Sequence, residues 1–446
     1  MGLTQLIYSP LRGFTARVNE EALLALQRNS SDINDGLLRE VADRIQRPAK
    51  YPSRPNSKTP SPSKIVIMPT RQCNMRCVYC DFAADQAHSD TLDPIQACHL
   101  IDYVVQNLKR NKSKLLHIHF FGGEPFLHRS IVDLIVHYAR QNCLRNNVKL
   151  RLEVTTNGKL NRPYAKFVGN VFDTAVVSYD GSQAFQNANR PNPDGSGSFE
   201  QVSRTLKVLS ETPVELCVRL CATDRSIHAL PDLARQITEV YNIDKLNIEP
   251  LTTNTRADSA DLLPPDPYEF FQAFMGAYYQ AHRKGVEVIN GLTNIRQISW
   301  SSCPVGKDSL MLMPDGTLTA CYLEAERWHK HGLDNEVGYV SKDGKIKIDT
   351  TNLERIRSMV WHKSRCERCF CRWTCAGGCH ISLTPPDCSA DYTDECIRTR
   401  LISATFLLAT VADRATVDAW LNNKLAQRVF AEQNEDRLLN PDENRL

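Results

Sequence analysis

The sequence has no excess of charge of one sign. It contains 54 lysines and arginines against 51 aspartates and glutamates, which gives a formal charge of +3 over 446 residues. Proteins that bind the phosphate backbone of nucleic acid need a basic face or stripe. The charge balance therefore gives no reason to predict a nucleic-acid partner.

Long hydrophobic runs are also missing. Residues 404–412 form the longest apolar stretch in the C-terminal part, and they are far shorter than the roughly 20 residues that span a bilayer. The first residues, MGLTQL, do not have the charged and then apolar order of a secretion signal. The sequence therefore predicts no membrane association and a cytoplasmic location.

Cysteine, in contrast, is abundant, with 16 residues in the chain. Many cysteines in a small secreted domain would indicate disulfides, but this chain is large and shows no secretion signal. Thiolates that bind metal in a reducing compartment explain the composition better.

Six short apolar runs alternate with helical patterns in the first two thirds of the chain. The runs are Ile65–Met68, Leu116–Phe121, Leu150–Thr155, Thr174–Ser178, Val214–Leu220 and Leu246–Ile248. This order predicts an α/β fold, a parallel sheet with helices outside that curves into a partial barrel. Because ligands bind at the carboxyl ends of parallel strands, the loops after these runs are the expected active site.

The segments around the predicted barrel differ from it in composition. Residues 1–46 predict a small α+β unit, and the proline-rich residues 47–64 predict a linker. The barrel is expected over 65–289 and a cysteine-rich, loop-rich extension ordered mainly by metal over 290–400. Residues 401–446 predict a C-terminal helix and tail.

Three cysteines lie together directly after the first barrel strand, in the segment Cys73-Asn-Met-Arg-Cys77-Val-Tyr-Cys80. Three thiolates can hold one iron-sulfur cube and leave its fourth iron open for a substrate or cofactor. A zinc-binding triplet is the alternative. The spacing, with an aromatic residue before the last cysteine, resembles the signature of the radical S-adenosylmethionine (SAM) enzymes.

The resemblance to radical SAM enzymes continues at the ends of the following strands. The turn Gly122-Gly123-Glu124-Pro125 stands where those enzymes hold the amino group of the cofactor. The other cofactor contacts that the resemblance implies are Tyr79 beside the adenine, Ser178 and Asp180 on the ribose side, and Asn157 and Arg219 at two further strands. Ordinary turns, a core tyrosine and a paired arginine are the structural alternatives.

A second group of cysteines follows the predicted barrel. Its members are Cys303, Cys321, Cys366, Cys369, Cys375, Cys379 and Cys396, and Gly316 precedes Cys321. These intervals resemble the SPASM extension, which implies two auxiliary 4Fe-4S clusters, whereas zinc ribbons do not need seven thiolates.

The SPASM resemblance also implies which cysteines bind which cluster. Cys366, Cys369, Cys375 and Cys396 would enclose one cluster, and Cys303, Cys321 and Cys379 would bind the other, whose fourth ligand the sequence does not identify. Cys371 and Cys388 lie within reach of these loops and are either substitutes or bystanders.

The resemblance implies an enzyme in which a reduced cluster on Cys73, Cys77 and Cys80 cleaves SAM to a 5'-deoxyadenosyl radical, with an electron donor such as flavodoxin or ferredoxin. The expected substrate is a ribosomally made precursor peptide, which the radical alters by an oxidative crosslink or related side-chain modification. Residues 1–46 resemble part of a PqqD-like leader-recognition fold, which favours a peptide. A helical cap on the barrel is an equally good interpretation of that segment.

Two other functions stay open. Anaerobic sulfatase maturases resemble the chain closely but have an aspartate as base directly after the second SPASM cysteine, where this sequence has Tyr322. A sulfatase-maturase-like enzyme or a small-molecule radical SAM dehydrogenase is therefore the less favoured reading. A cluster-bearing protein without catalysis is disfavoured because the SAM motifs are intact.

Overall fold

The computed structural model describes residues 4–28, 35–52, 62–80, 90–252, 254–299, 309–323, 325–329, 332–358, 364–379 and 392–433. The chain forms two compact units. Residues 55–290 and 304–357 make up the sheet unit, and residues 1–54, 291–303 and 358–446 make up the cysteine unit.

The chain begins in the cysteine unit with an antiparallel hairpin of β1 (Thr4–Ser9) and β2 (Phe14–Asn19). The positive φ of Gly13, 67°, suits a residue without a side chain between the two strands. Helices α1 (Glu20–Gln27) and α2 (Gly36–Gln46) follow. The segment therefore contains both strands and helices, as an α+β unit does.

An eleven-stranded sheet with the order β13-β12-β11-β10-β3-β4-β5-β6-β7-β8-β9 forms the centre of the sheet unit. Its strands are β3 (Lys64–Ile67), β4 (Leu115–Phe120), β5 (Lys149–Thr156), β6 (Thr174–Ser178), β7 (Glu215–Ala222), β8 (Lys245–Pro250), β9 (Glu287–Ile289), β10 (Ser309–Leu312), β11 (Thr317–Thr319), β12 (Glu336–Val340) and β13 (Ile346–Ile348). The strands β3 to β9 run parallel, so the predicted parallel α/β sheet is confirmed.

Helices connect these parallel strands and continue beyond them. The helices of the sheet unit are α3 (Pro94–Arg110), α4 (Arg129–Arg145), α5 (Arg162–Val171), α6 (Gln183–Asn189), α7 (Phe199–Leu209), α8 (Leu230–Val240), α9 (Thr255–Ser259), α10 (Pro267–His282), α11 (Ala325–His329) and α12 (Thr350–Ser358). None of the helices in the described ranges combines the length and the apolarity that a membrane crossing needs.

The two faces of the sheet differ in polarity. On β4, Leu116, Ile118 and Phe120 are completely buried, whereas His117 and His119 alternate with them on the opposite face. Period-two alternation sends successive side chains to opposite faces of a strand. The second face therefore carries polar groups, and they lead to the carboxyl ends of the strands.

The sheet extends beyond the predicted barrel. Strand β10 pairs in parallel with β3, from Ser309 opposite Lys64 to Leu312 opposite Ile67, and β11 to β13 add antiparallel strands. From its composition, the sequence predicts a mainly metal-ordered extension from residue 290. In the structure, β10 is completely buried, and main-chain pairing joins β10 to β13 to the sheet, so this part of the stretch has order that does not come from metal.

In its described residues, the C-terminal part of the cysteine unit contains four α-helices. They are α13 (Arg372–Cys375), α14 (Asp394–Val411), α15 (Arg414–Asn422) and α16 (Lys424–Glu432). The predicted boundary at residue 400 falls inside α14, and the predicted single C-terminal helix is broken into three. Asp413 and Asn423 explain the breaks, because their side chains accept hydrogen bonds from the Thr416 N–H in the first turn of α15 and the Ala426 N–H in the first turn of α16.

The N-terminal segment packs within the cysteine unit. The ring of Tyr8 lies edge-on to Phe370 with centroids 6.3 Å apart, and Tyr51 contacts Trp373 at 5.4 Å. Within the predicted linker, Lys50 N–H donates to the Leu11 carbonyl at 2.8 Å. These contacts join residues 1–54 to the cysteine-rich loops within the cysteine unit.

Candidate active site

The first cysteine group lies in the loop after β3. Cys73, Cys77 and Cys80 are all partly exposed there. The loop is fixed by main-chain hydrogen bonds from Arg76 N–H to the Pro191 carbonyl, 2.8 Å, and from Val78 N–H to the Asn189 carbonyl, 2.9 Å. The segment between α6 and α7 therefore holds the loop at the carboxyl edge of the parallel strands.

Two N–H donors point at sulfur atoms of this loop. Asn157 Nδ2 donates to Cys73 Sγ at 3.5 Å, and Arg190 Nη1 donates to Cys77 Sγ at 3.9 Å. Burial raises the pKa of Cys73 to about 12 and that of Cys77 to about 11. These thiols therefore keep their protons at neutral pH unless a metal centre displaces the protons, as metal ligation does.

Asp180 connects the cysteine loop to the end of β6. Its carboxylate, 1% exposed, accepts hydrogen bonds from Tyr79 Oη at 2.5 Å, Asn189 Nδ2 at 3.1 Å and Arg190 Nε at 3.1 Å. The guanidinium group of Arg190 also lies 5.2 Å from the centre of the Tyr79 ring. Asp180 thus balances the charge of Arg190 while Arg190 reaches the Cys77 sulfur.

The glycine pair brings the turn after β4 against the start of the cysteine loop. Gly123 N–H donates to the Thr70 carbonyl at 3.2 Å, and Glu124 N–H donates to the Gln72 carbonyl at 2.8 Å. A Cβ atom on Gly123 would collide with the carbonyl oxygens of Arg71 and Gln72. The close approach therefore requires glycine at this position.

Glu124 is buried beside this turn, with 2% exposure. Its carboxylate accepts from Thr156 Oγ1 at 2.9 Å, from Asn157 N–H at 2.8 Å and from Phe126 N–H at 3.2 Å. Pro125 is buried next to it and begins a short 3-10 turn. Burial raises the Glu124 pKa to about 7, against the opposing effect of these hydrogen bonds. The carboxylate joins the ends of β4 and β5.

Polar groups continue along the other strand ends. Ser178 is half-buried at the end of β6 and stands opposite Arg219 of β7 in the sheet register. The guanidinium group of Arg219 interacts electrostatically with Tyr322 and Glu249. Tyr322 stacks on Phe121 with ring centroids 5.1 Å apart. The structure therefore brings Tyr322, known from the sequence only as a departure from a motif, to the predicted active-site edge.

The second cysteine group is brought together in the cysteine unit. One pocket there is lined by Cys366, Cys369, Cys371, Cys375 and Cys396. Four of these five thiols are the ligands that the resemblance assigns to one auxiliary cluster. The structure adds Cys371, whose side chain is buried in the same pocket.

The remaining cysteines of the second group are not described as one site. Cys303 and Cys388 lie outside the described residues. Cys321 is buried in the sheet unit, where Leu323 N–H donates to its sulfur at 3.5 Å. Cys379 belongs to the cysteine unit, and its N–H donates to Glu395 Oε1 at 3.2 Å. The second auxiliary ligand set therefore stays a prediction.

Sequence reasoning missed the roles of two groups in these sites. It assigned no role to Arg190 at the first cysteine loop or to Arg400, which lines the five-thiol pocket. Both are buried arginines beside cysteine sulfur. The only signal in the sequence for such a role is an arginine within a segment that is otherwise expected to be buried. A buried arginine needs an anionic partner, and a thiolate can be that partner.

Comparison with protein families and curated proteins finds similarities that include part of the sheet unit. Residues 67–224 match the Radical SAM superfamily. The chain is 22% identical over 341 residues to the cysteine-type anaerobic sulfatase-maturating enzyme of Clostridium perfringens (strain 13 / Type A). That similarity covers 71% of this chain and 89% of that enzyme.

Two solved structures share the fold. Native anSMEcpe with bound AdoMet matches with a TM-score of 0.59 at 16% identity, over 81% of this chain and 99% of that one. Streptococcus suis SuiB bound to the precursor peptide SuiA matches with a TM-score of 0.50 at 15% identity, over 82% of this chain and 85% of that one.

Proposed function

We propose that this chain is a radical SAM enzyme related to sulfatase maturases and to modifiers of ribosomally made peptides, and that its substrate is a precursor peptide. The modification would be an oxidative crosslink or a related change to a side chain. A structural neighbour bound to its precursor peptide supports a peptide substrate. The observation that carries the choice of reaction is Tyr322 at the active-site edge, where sulfatase maturases have an aspartate.

The superfamily implies SAM and one 4Fe-4S cluster, and the first cysteine loop fits that cluster. Asn157 and Arg190 direct N–H groups at two of the three sulfurs, which favours their thiolate form. Among the described residues, no three His, Cys, Asp or Glu side chains are close enough together to bind a single metal ion.

The chain's own residues would bind and orient the cofactor. When bound, SAM and the reduced cluster supply a radical that removes a hydrogen atom from a carbon of the substrate. The turn 122–125 would hold the amino group and Arg219 the carboxylate of the methionine part. Ser178 and Asp180 would lie on the ribose side and Tyr79 beside the adenine.

The contacts of Glu124 and Asp180 refine these proposed roles. Protein donors already occupy both carboxylates, so each would act mainly by holding its loop in place. Ser178 and Arg219 would then make more of the direct polar contacts with SAM.

The cysteine unit would hold a second, auxiliary cluster on Cys366, Cys369, Cys375 and Cys396. The set Cys303, Cys321 and Cys379 would hold a third. Anaerobically reconstituted protein is then expected to contain about twelve iron atoms, four for each cluster. Zinc in place of iron in the purified protein would contradict the auxiliary clusters.

A triple variant with Cys73→Ala, Cys77→Ala and Cys80→Ala separates the catalytic cluster from the others. It is expected to keep about two thirds of the iron and to produce no 5'-deoxyadenosine, because only the SAM cluster loses its ligands. Iron is measured colorimetrically and the nucleoside by chromatography. A variant that still cleaves SAM would overturn the assignment of the three cysteines.

The choice of substrate is tested by co-expression with a short peptide encoded beside the enzyme. Mass spectrometry is expected to find a peptide lighter by two hydrogen atoms, since an oxidative crosslink removes them. The relatedness to sulfatase maturases makes a sulfatase-derived peptide the second substrate to test. Conversion of its cysteine or serine to an aldehyde, with the encoded peptide unchanged, would favour maturase activity instead.

A further inference from the structure

Arg400 on α14 is a buried arginine in contact with a cysteine of the five-thiol pocket. Its side chain belongs to a residue that is 1% exposed, and its Nη1 donates to Cys369 Sγ at 3.6 Å and to Tyr392 Oη at 3.1 Å. An N–H group directed at a cysteine sulfur is one of the features by which a protein adjusts an iron-sulfur cluster.

Three aromatic rings surround the guanidinium group of Arg400. Its central carbon lies 4.3 Å from the ring centre of Tyr392, 5.1 Å from that of Phe430 and 5.3 Å from that of Phe370. Rings exclude water and attract the cation through their faces. The charge is therefore held in an apolar environment, where its effect on a neighbouring sulfur is weakly screened.

The same guanidinium group is attached to the C-terminal end of the cysteine unit. Its Nη2 donates to the Phe430 carbonyl at 3.2 Å and to the Gln433 carbonyl at 3.5 Å. Phe430 also contacts Trp420 and Phe370. Arg400 thus links the Cys369 sulfur to the end of α16.

Among the described residues, the lining of the pocket contains more basic than acidic side chains. Arg365, Arg372 and Arg400 line it and are buried, whereas the one carboxylate among its lining residues is Glu395. Buried cations need compensating anions. Four thiolates around an iron-sulfur cube would supply that negative charge.

We propose that Arg400 is a positioning residue that raises the reduction potential of the auxiliary cluster on Cys366, Cys369, Cys375 and Cys396, and that the docking of α16 holds it in place. This inference rests on the proposed auxiliary cluster. Reduction adds negative charge to a cluster, and both the N–H donor and the cation stabilise that charge. The potential is therefore higher with Arg400 than without it.

The test compares Arg400→Met, which removes both donor and charge, with Arg400→Lys, which keeps the charge but loses the planar fork. Reconstituted full-length enzyme is titrated with reductant and followed by electron paramagnetic resonance. Arg400→Met is expected to lower the midpoint potential of one auxiliary cluster, and Arg400→Lys to lower it less. The potential of the SAM-binding cluster is expected to stay unchanged.

Arg398→Met is the matched control, because Arg398 is a buried arginine on the same helix that does not line the pocket. Its potentials are expected to equal those of the wild type. A full iron content with an unshifted potential in Arg400→Met would overturn the inference. An equal shift in Arg398→Met would also overturn it, because the effect would then be general to α14.

Phe430→Ala tests the contribution of α16. Because this variant keeps Arg400, it also tests the inference if Arg400→Met does not fold. Loss of the ring is expected to lower the same potential in the same direction, since the guanidinium group loses a face contact and its anchor. An unchanged potential overturns the link to α16. A wild-type pocket that holds zinc overturns the auxiliary cluster itself, which is a different result from an unshifted potential.

Discussion

At the level of single residues, two buried carboxylates hold the loops of the candidate active site together. Glu124 and Asp180 are almost completely buried, and each accepts hydrogen bonds from three protein groups. A buried carboxylate without such partners would be costly. Their first task is therefore structural, and any contact with SAM adds to it.

Replacing Glu124 by Gln is expected to lower both the affinity for SAM and the free energy of unfolding. The amide presents an NH₂ group where the carboxylate accepts from Thr156 and Asn157, and an unsatisfied buried group costs about 1–3 kcal/mol. Calorimetric titration with SAM and chemical denaturation measure the two effects.

Thr156→Val is the companion variant, because it removes one donor to Glu124 and keeps the carboxylate charge. If Glu124 only ties β4 to β5, both variants weaken SAM binding in proportion to their loss of stability. A larger loss of SAM affinity in Glu124→Gln alone would show a direct contact with the ammonium group. Unchanged SAM affinity in both variants would remove Glu124 from the site.

His119 on β4 is expected to make stability depend on pH. Its Nε2 lies 2.9 Å from Thr155 Oγ1, and burial lowers the His119 pKa from 6.5 to about 4, against the opposing effect of Glu153. The unfolded chain therefore takes up the proton first as the pH falls. This contribution is complete above pH 6.5 and is lost between 6.5 and 4, by about 3 kcal/mol at most.

His119→Gln removes the titration and keeps a donor near the Nε2 position. Its unfolding free energy is expected to fall less than that of the wild type over this pH range, as measured by urea denaturation. His228→Gln, which changes an exposed histidine of the same unit, is expected to follow the wild type. Equal pH profiles for wild type and His119→Gln would contradict the shifted pKa.

At the level of secondary-structure elements, the candidate active site is formed by loops that other loops hold in position. The cysteine loop has no regular structure of its own and takes its place from the segment after α6, through main-chain bonds to Asn189 and Pro191. Arg190, between those two residues, adds the ion pair with Asp180 and the bond to Cys77. This segment therefore determines where the first cluster can bind.

Arg190→Met is expected to reduce the iron bound at the first cysteine loop. It leaves Asp180 buried without its cation, and breaking a buried pair in this way costs about 3–5 kcal/mol. The iron of the cysteine unit is expected to stay, because that unit folds around other contacts. Arg204→Met, on the exposed side of α7, is the control. Wild-type iron content and SAM cleavage in Arg190→Met would contradict this role.

The N-terminal and C-terminal segments of the whole molecule share one compact unit. Residues 1–54 contact the loop of the second cysteine group through Tyr8 with Phe370 and Tyr51 with Trp373. This arrangement supports a structural role for the N-terminal segment. The β1–β2 hairpin stays the proposed place where a peptide leader would pair.

A shortened chain that begins at Lys64 is expected to lose auxiliary iron and solubility. Deleting the β1–β2 hairpin exposes apolar surface of the cysteine unit. Tyr8→Ala removes the contact with Phe370 and keeps the strand edges, so it should lose stability but bind peptide normally. Iron content, thermal unfolding and peptide affinity are the measurements. A soluble shortened enzyme with full iron that has lost only peptide affinity would favour leader recognition instead.

The sequence by itself determined the features that depend on short spacing along the chain. These features are three thiols within one loop, a glycine pair directly after a strand, and six strand-helix alternations. Their residues are close in sequence, so they remain close in space in any fold of the chain. For this reason the parallel sheet and the cysteine loop after β3 could be predicted from the pattern. The resemblance to the SPASM extension grouped four further thiols, and they line one pocket.

Only the tertiary structure decided which distant groups meet. The pairing of β10 with β3, the bonds of Asp180 to Tyr79 and Arg190, and the contact of Arg400 with Cys369 join residues whose character suits several partners. An apolar strand or a buried charge shows that some partner is required, but its sequence does not show which residue that partner is. For the strands the reason is that hydrophobic burial is non-directional. The packing of the complete chain selects the partner, and it thereby placed β10–β13 in the sheet and residues 1–54 beside the second cysteine group.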